Sequence, residues 1–289
     1  MKALLGHGDY QYEYVPDWGK GPEGRKLGVV SGQAADSRDR LYVVDREPNP
    51  AIVVFDRQGR FLNAWGEDIF LQPHDIWITP DDKVYVADCG DHTVRICSTE
   101  GDVLQTLGTP GTPGDPGMPF NKPTRAVGSP SGEIFVSDGY GQHRVHRFSA
   151  EGKLINSWGE RGPEPGKFGL VHSVFVDQQE RVWIADREPN HCIQVFDVDG
   201  NLLDRWKGRT CPCGLFIDND GAVFVAEGWS VTILSSDGEF LSSVPLKISA
   251  DDAGHGSHSV WVDSRGDLYA GEVGRENLIH KFKRVVSER

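Results

Sequence analysis

The sequence predicts an all-β protein, a six-bladed β-propeller that is closed by its own N-terminal strand. Three observations support this fold class: one apolar strand recurs six times, the recurrences lie 41 to 50 residues apart, and the two ends of the chain complement each other. A repeat of this length is typical of a propeller or a solenoid, and six four-stranded blades explain it most simply. The recurring strands are Leu41–Asp45, Val84–Asp88, Ile134–Asp138, Val182–Asp186, Val223–Glu227 and Leu268–Glu272.

The repeating unit is clearest between Phe120 and Phe148. There, two short apolar alternations flank a Ser-Pro-Ser-Gly turn that begins at Ser129, and a third strand follows the Gly-Tyr-Gly corner around Tyr140. Turn residues between apolar runs of this length predict a β-meander. Most copies continue through a second turn into a fourth strand that ends in Trp-Gly or Leu-Gly, as at Trp158.

The two ends of the chain predict how the ring closes. The segment from Tyr12 to Gly19 resembles the closing strand of a blade but has no blade before it, whereas the copy from Ser257 to about Val286 has only three strands. Joining them completes one blade and removes a free sheet edge. The chain is then a single domain, residues 1–289, with blades at about 28–66, 70–108, 120–159, 168–208, 211–244 and 257–286 plus 10–19.

Charge and hydropathy exclude two classes of partner. The formal net charge is -13, whereas nucleic acids and anionic membrane surfaces are bound by clustered Lys and Arg. No segment approaches the roughly 18 apolar residues of a membrane span, and the first residues lack the apolar core of a secretory signal. We therefore expect a cytoplasmic protein without nucleic-acid or membrane partners.

The cysteines predict reduced thiols. Five cysteines are an odd and sparse set for 289 residues, which favours free thiols over a disulfide framework. Cys211 and Cys213 form a Cys-x-Cys motif without the second pair that a zinc knuckle needs. Since free cysteine behaves as a small apolar side chain, ordinary packing is the expectation for both.

One column of residues stands out when the six copies are aligned. It lies ten residues before the start of each recurring strand, at the entry to the blade nearest the ring axis, and it holds histidine in alternate blades. Alternate blades of a six-fold ring form an equilateral triangle, so three imidazoles can converge on the axis. Three neutral imidazoles around one point form a metal site with an open position, as in catalytic zinc centres. The column reads Ser31, His74, Thr124, His172, Cys213 and His258.

An alternative interpretation is that each histidine is an ordinary core residue. The strict alternation within one column favours metal binding instead. Zinc suits nitrogen ligands and an open fourth position, although imidazole also binds iron, copper and nickel.

A second column, just after each recurring strand, offers groups for substrate binding and catalysis. Arg46 and Arg187 come from opposite blades, and Tyr140 comes from the third blade. A guanidinium binds a carboxylate through a fork of N–H donors, and a phenol beside a metal and an arginine can acquire a lowered pKa and act as a general base. We predict a small-molecule carboxylate substrate, with Glu47 and Glu188 as further substrate-binding residues. Alternatively, these Asp-Arg pairs only fix turns.

Several segments carry a resemblance to a known family. They read LQPHDIW, FNKPTRAV, VSDGYGQHRV, VHSVFVD, IADREPNHCIQVFD and SHSVWVD. These segments resemble the peptidyl-α-hydroxyglycine α-amidating lyases, also called peptidylamidoglycolate lyases, and the repeats resemble the broader NHL repeat class. The resemblance covers nearly the whole chain and is strongest from about Phe120 to Asp197. It implies a six-bladed propeller, a zinc ion, and cleavage of a carbinolamide C–N bond to an amide and glyoxylate.

The same resemblance implies roles for individual residues. His74, His172 and His258 match the zinc ligands of the family. Tyr140 in SDGY and Arg187 in ADRE match its catalytic residues, and Arg46 matches the arginine of its first blade more loosely. Tyr140 or a metal-bound hydroxide is then expected to take the proton of the substrate hydroxyl, while the two arginines hold the carboxylate and stabilise developing negative charge.

Three positions depart from the family pattern. Gly256 stands where the family has methionine, Ser259 stands where an acidic residue follows the third histidine, and Gly141 stands where a cysteine follows the tyrosine. The serine makes the structural Ca²⁺ of the family doubtful in this chain. The glycine at 141 is consistent with a reducing compartment.

Two other functions remain open at this point. A metal-dependent hydrolase or lactonase would use an acidic rim residue as its general base, from Glu47, Glu188, Glu227 and Glu272. A non-catalytic NHL-type scaffold would bind a protein partner on its rim. A scaffold has no use for three axial histidines, whereas either enzyme does.

Overall fold

The chain folds into a ring of six antiparallel sheets. The computed structural model describes residues 3–21, 27–246, 256–273 and 279–286, and within these ranges it contains β-strands and no helix. The innermost strand of each sheet contacts the innermost strand of the next, all the way round. The predicted six-bladed β-propeller is therefore confirmed. None of the described segments is a helix that is long and apolar enough to cross a membrane.

Blades one to five each have four strands. From the ring axis outward they are β3 Val30–Ala35, β4 Leu41–Asp45, β5 Ala51–Phe55 and β6 Phe61–Trp65 in blade one; β7 Pro73–Ile78, β8 Val84–Asp88, β9 Thr93–Cys97 and β10 Val103–Gly108 in blade two; β11 Arg125–Gly128, β12 Ile134–Asp138, β13 Arg144–Phe148 and β14 Leu154–Trp158 in blade three; β15 Val171–Val176, β16 Val182–Asp186, β17 Cys192–Phe196 and β18 Leu202–Lys207 in blade four; β19 Pro212–Ile217, β20 Val223–Glu227, β21 Ser230–Leu234 and β22 Phe240–Pro245 in blade five.

Blade six is built from both ends of the chain. Its strands, from the axis outward, are β23 Ser257–Val262, β24 Leu268–Glu272, β25 Ile279–Val285, β2 Tyr10–Val15 and β1 Leu4–His7. Strand β2 pairs antiparallel with β25, so the N-terminal strand closes the ring as predicted. Residues 274–278 of this predicted blade lie outside the described residues.

Strand β1 is an addition that the sequence analysis did not predict. It pairs antiparallel with β2, and the backbone amide of His7 donates a hydrogen bond to Ser242 Oγ of blade five at 2.8 Å. The strand is only four residues long and contains Gly6, so it lacks the apolar alternation from which the other strands were predicted. Contacts with the neighbouring blade define it instead.

Burial explains the sequence pattern of the strands. The second strand of every blade is buried along its whole length, because neighbouring blades cover both of its faces, and it therefore reads as a continuous apolar run. The outer strands are partly exposed and mix apolar with polar residues, as in β18.

The Trp-Gly endings lock neighbouring blades together. The indole of Trp158 packs on the turn of blade four, where a Cβ on Gly200 would lie 2.7 Å from Trp158 Cγ. Gly200 also has φ +88°, a conformation that glycine adopts without steric cost. Trp65 packs on Gly101 of the following blade in the same way. The closing tryptophan thus needs a glycine in the next blade.

Candidate metal centre

A β-bulge marks the histidine column in five of the six inner strands. Pairing between the first two strands of each blade skips one residue, and the skipped residue is the member of the column. A bulge leaves that residue out of the ladder and changes the direction of its side chain. In blade three the column residue, Thr124, directly precedes the inner strand and donates its backbone amide to Ser137 O at 2.8 Å. The skipped residues are Ser31, His74, His172, Cys213 and His258.

The three histidines come together at the centre of the ring. Their ring centroids are 4.9 Å apart for His74 and His172, 5.0 Å for His74 and His258, and 4.8 Å for His172 and His258. One potential ligand atom of each lies within 4.8 Å of the others, and all three side chains are buried. Among the described residues, this is the only such group of three or more His, Cys, Asp or Glu residues. The triangle expected from alternate blades is present.

Hydrogen bonds orient all three imidazoles in the same way. The Nδ1 atoms of His74, His172 and His258 lie 2.7 Å, 2.8 Å and 2.7 Å from the carbonyl oxygens of the column residues in the following blades. A carbonyl oxygen can only accept, so Nδ1 carries the proton and Nε2 keeps its lone pair. The accepting carbonyls belong to Thr124, Cys213 and Ser31.

The electrostatic environment keeps these imidazoles neutral. Burial lowers the pKa of His258 to about 3, with a further lowering by Arg187 and Arg46 that its bond to the Ser31 carbonyl opposes. Burial, reinforced by neighbouring positive charge, also lowers the pKa of His74 and His172 well below the usual value. At neutral pH the group therefore presents three neutral nitrogen donors, the form in which imidazole binds a metal.

Tyr140 covers this triangle. Its hydroxyl lies 2.9 Å from His74 Nε2 and 3.2 Å from His172 Nε2, although 37% of the residue surface remains exposed. Because both nitrogens are unprotonated, the single phenolic proton is donated to one or the other of them. Burial raises the pKa of Tyr140 to about 12, against the lowering effect of Arg187 and Arg46. Desolvation thus outweighs the two guanidinium groups here, and the lowered pKa expected beside a bound metal stays a prediction.

The two arginines occupy equivalent positions but different environments. The backbone amides of Arg46 and Arg187 donate to Val29 O and Leu170 O, each at 2.9 Å. The guanidinium of Arg187 forms two hydrogen bonds with Glu188, from Nε at 3.0 Å and from Nη2 at 2.9 Å. Arg46 Nε, by contrast, is buried and has no hydrogen-bond partner among the described residues.

The acidic rim residues also divide into two kinds. Glu47 is exposed and Glu188 is occupied by Arg187. Glu227 accepts from the Thr210 backbone amide at 2.9 Å, and buried Glu272 lies 3.1 Å from His280 Nε2. Glu227 and Glu272 thus brace their own blades, which weakens their assignment as a general base.

A buried polar layer below the histidines was missed by the sequence analysis. Arg125 is 1% exposed, and its Nη1 donates to Ser173 Oγ at 3.1 Å and to Leu215 O at 2.9 Å. Its Nε lies 3.6 Å from Asp75 Oδ2, and burial raises the pKa of Asp75 to about 6 while Arg125 opposes that shift. A sequence signal existed: Asp75, Arg125 and Ser173 each directly follow a member of the histidine column.

The departures from the family pattern have structural explanations. Gly256 has φ +108°, and a Cβ there would lie 2.5 Å from Gly228 O, so a methionine would require backbone movement. A side chain at Gly141 would meet Asn121 at 2.3 Å. The hydroxyl of Ser259 hydrogen-bonds Gln33 Oε1. The expectation about Ca²⁺ stays a prediction.

Comparison with known proteins gives the family. Residues 70–97 match the NHL repeat. The chain is 35% identical over 251 residues to human NHL repeat-containing protein 3, an alignment that covers 82% of this chain and 68% of that protein. The chain belongs to the NHL-repeat family. This NHL-repeat protein is also 31% identical over 188 residues to peptidyl-alpha-hydroxyglycine alpha-amidating lyase 1 of Drosophila melanogaster, covering 59% of the chain and 34% of the fly protein.

A solved structure supports the fold of this NHL-repeat protein. A gluconolactonase from Xanthomonas campestris superposes with a TM-score of 0.69 at 14% identity, covering 96% of this chain and 90% of that one. Identity this low supports the fold alone. The chain spans about two thirds of the human NHL-repeat relative and about one third of the fly lyase.

Proposed function

We propose that this protein is a metal-dependent lyase that cleaves the C–N bond of a small N-acyl-α-hydroxyglycine-type substrate, giving an amide and glyoxylate. One observation carries the proposal: three neutral imidazoles bring one potential ligand atom each within 4.8 Å of the others, with each Nδ1 held by a backbone carbonyl. The similarity to a protein named as an amidating lyase supports this choice of reaction.

Zinc fits this donor set. Structural and catalytic zinc sites use imidazole nitrogen, and catalytic sites keep a position open for water or substrate. Carbonyl acceptors on Nδ1 fix the tautomer and orientation that a ligand needs. His74, His172 and His258 would hold the ion. When bound, zinc would supply Lewis acidity that lowers the pKa of a coordinated hydroxyl.

Tyr140 would move the single proton that the reaction transfers. Cleavage turns the substrate C–OH into a carbonyl and gives the leaving amide nitrogen a proton. The phenol is protonated at neutral pH because its pKa is raised to about 12. It can therefore donate to the departing nitrogen and regain a proton from the substrate hydroxyl, so that the step balances without an external acid or base.

Arg46 and Arg187 would bind the substrate carboxylate. Arg46 is partly buried and its buried Nε has no hydrogen-bond partner among the described residues, so a carboxylate would satisfy it through charge-assisted hydrogen bonds. Arg187 is already paired with Glu188. We therefore assign the dominant carboxylate contact to Arg46, with Arg187 and Glu188 shaping the opposite wall and Glu47 at the exposed rim.

Metal content and product analysis test the proposal together. The purified protein should contain about one zinc ion per chain and should release glyoxylate from α-hydroxyhippurate. Glyoxylate is measured by a coupled reductase assay, and a panel of lactones is tested in parallel. Lactone hydrolysis without glyoxylate release would favour a hydrolase. A metal-free protein that stays inactive after zinc addition would favour a scaffold.

A further inference from the structure

A cleft between blade six and blade one differs in charge from the chain as a whole. Its volume is about 440 Å³, and of the nine described residues that line it five are Lys or Arg and one, Asp267, is acidic. The whole chain, by contrast, has 43 acidic and 30 basic residues. No residue of the candidate metal centre lines this basic cleft. Its five cations are Arg57, Arg265, Lys281, Lys283 and Arg284.

Closure of the ring brings these cations together. Arg57 lies in the turn between β5 and β6 of blade one, and Arg265 lies in the turn between β23 and β24 of blade six. Lys281 and Lys283 are alternate residues of β25, the strand that pairs with β2, so their side chains point to the same face of the blade. Trp18, which follows β2, supplies an apolar wall. The cleft therefore requires both ends of the chain to be in place.

The deep part of the basic cleft is a network of ion pairs. Arg57 Nε lies 3.1 Å from Asp263 Oδ2, and Arg57 Nη2 lies 3.0 Å from Asp267 Oδ2. Lys281 Nζ lies 3.2 Å from the same Asp267 oxygen and donates to the Arg57 carbonyl at 2.9 Å. Two carboxylates thus balance two cations, and Nη1 of Arg57 is still without a hydrogen-bond partner among the described residues.

The three outer cations have no carboxylate partner among the described residues. Arg265 and Lys283 are exposed and form no ion pair there. The guanidinium carbon of Arg284 lies 4.3 Å from the centre of the Tyr10 ring, so a neutral group holds it. Glu13 is opposite Lys283 in the strand register but does not line the cleft. Five cations against the two carboxylates of the deep network leave a surplus of three positive charges.

We propose that the basic cleft binds a small anion that carries two phosphoryl groups. Two such groups bring about three to four negative charges at neutral pH, which matches the surplus, whereas a single carboxylate would leave most of it uncompensated. Guanidinium groups bind phosphate oxygens through paired N–H donors, and lysine adds a point charge on a flexible stem. Arg265 and Lys283, the two exposed cations, contact the ligand directly.

This site is independent of the proposed lyase reaction. It shares no residue with the three histidines or with Tyr140, and it needs no bound metal. Because the ligand binds only the closed ring, it should also stabilise the folded chain against unfolding by mass action.

Isothermal titration calorimetry of the full chain with fructose 1,6-bisphosphate tests the proposal. At neutral pH and about 150 mM KCl, where weak attraction to the surface is screened, one molecule should bind per chain with Kd below about 1 mM. Removal of metal with a chelator should leave this Kd unchanged. Failure of the lyase assay would therefore not affect the result.

Exposed residues provide variants that keep the fold. Lys283→Gln should weaken binding about threefold to tenfold, and the double variant Arg265→Gln with Lys283→Gln should weaken it further. Lys153→Gln is the matched control, because it removes the same charge from an exposed lysine of blade three and should bind as wild type does.

Two results would overturn the proposal. One is the absence of saturable binding to the wild-type chain below about 1 mM ligand. The other is equal weakening by Lys283→Gln and Lys153→Gln, since attraction would then depend only on total charge. Differential scanning fluorimetry checks the same point: saturating ligand should raise the unfolding temperature of wild type more than that of the double variant, and equal shifts would contradict the site.

Discussion

Alternate blades of this propeller contribute different chemical groups to the same ring of residues. Blades two, four and six contribute an imidazole, whereas blades three, five and one contribute the backbone carbonyl that accepts the Nδ1 proton from the preceding blade. Each histidine is therefore oriented by a backbone carbonyl of the next blade. The pairs are His74 with Thr124, His172 with Cys213 and His258 with Ser31.

The difference shows what each set of blades must conserve chemically to keep the site. Blades two, four and six, the even blades, need a histidine side chain at their position in the histidine column. The odd blades need only a correctly placed carbonyl, so residues as different as serine, threonine and cysteine serve there equally. Because ligand and orienting group come from different blades, the site depends on closure of the whole ring.

Removal of an even-blade imidazole should have the largest effect. His172→Ala is expected to reduce bound zinc from about one ion per chain to none and to abolish glyoxylate release, because two imidazoles leave the coordination incomplete. Inductively coupled plasma mass spectrometry and the glyoxylate assay measure the two quantities. A His172→Ala protein that kept both metal and activity would show that the site is assigned wrongly.

Replacement of Tyr140, the proposed proton carrier that covers the three histidines, should have the next largest effect. Tyr140→Phe should lower kcat by about 10²- to 10⁴-fold, because the ring still fills its place but no proton can be passed. Zinc content should stay at the wild-type level. Loss of zinc together with activity would mean that Tyr140 stabilises the metal site and does not act in catalysis.

The arginines of opposite blades should differ in their effect on substrate affinity. Arg46→Gln should raise KM for a carboxylate substrate roughly tenfold to hundredfold, because no residue that the structure describes forms an ion pair with its guanidinium. Arg187→Gln should raise KM less, since Glu188 already neutralises that charge. Steady-state kinetics on both variants measure the difference. Equal effects would contradict the unequal assignment.

Acid should destabilise the metal-free chain because the buried histidines of the even blades resist protonation. An unfolded histidine has a pKa near 6.5, while that of folded His258 is about 3, so between these values the unfolded chain binds more protons. The free energy of unfolding should then fall by about 1.4 kcal/mol per pH unit for each such histidine as pH decreases. Above about pH 6.5 the histidine is neutral in both the folded and the unfolded chain, and the free energy of unfolding no longer falls on its account.

Urea denaturation of the chelated protein at several pH values in that window measures this slope. His258→Asn is the matched variant, because its amide can still donate to the Ser31 carbonyl. The variant should have a smaller slope than wild type. An unchanged slope would mean that His258 is not buried as a neutral group.

The smallest effect should come from an odd-blade side chain. Ser31→Ala keeps the carbonyl that holds His258 and removes only a buried hydrogen bond to Pro73 O at 3.3 Å. Zinc content should be unchanged, and the free energy of unfolding should fall by about 1 kcal/mol or less. Loss of zinc here would show that the odd-blade side chain matters as well as its carbonyl.

The repeat spacing was sufficient to predict the fold, and the histidine column was sufficient to predict the triangle. Both are properties of periodicity: residues at equivalent positions in equivalent blades must lie around one axis, so alternate blades place His74, His172 and His258 together. The closure by the N-terminal strand followed from the same count of strands.

Contacts between distant residues decided the rest. The sequence contains no sign that Thr124, Cys213 and Ser31 would orient the ligands, because they do so through backbone carbonyls that every residue carries. Likewise, the raised pKa of Tyr140 depends on burial, and only the structure shows that Arg187 pairs with Glu188 whereas Arg46 Nε has no hydrogen-bond partner among the described residues. Sequence periodicity determines which residues meet. Tertiary packing determines the orientation of their side chains, their protonation states and which of their hydrogen-bonding groups have partners.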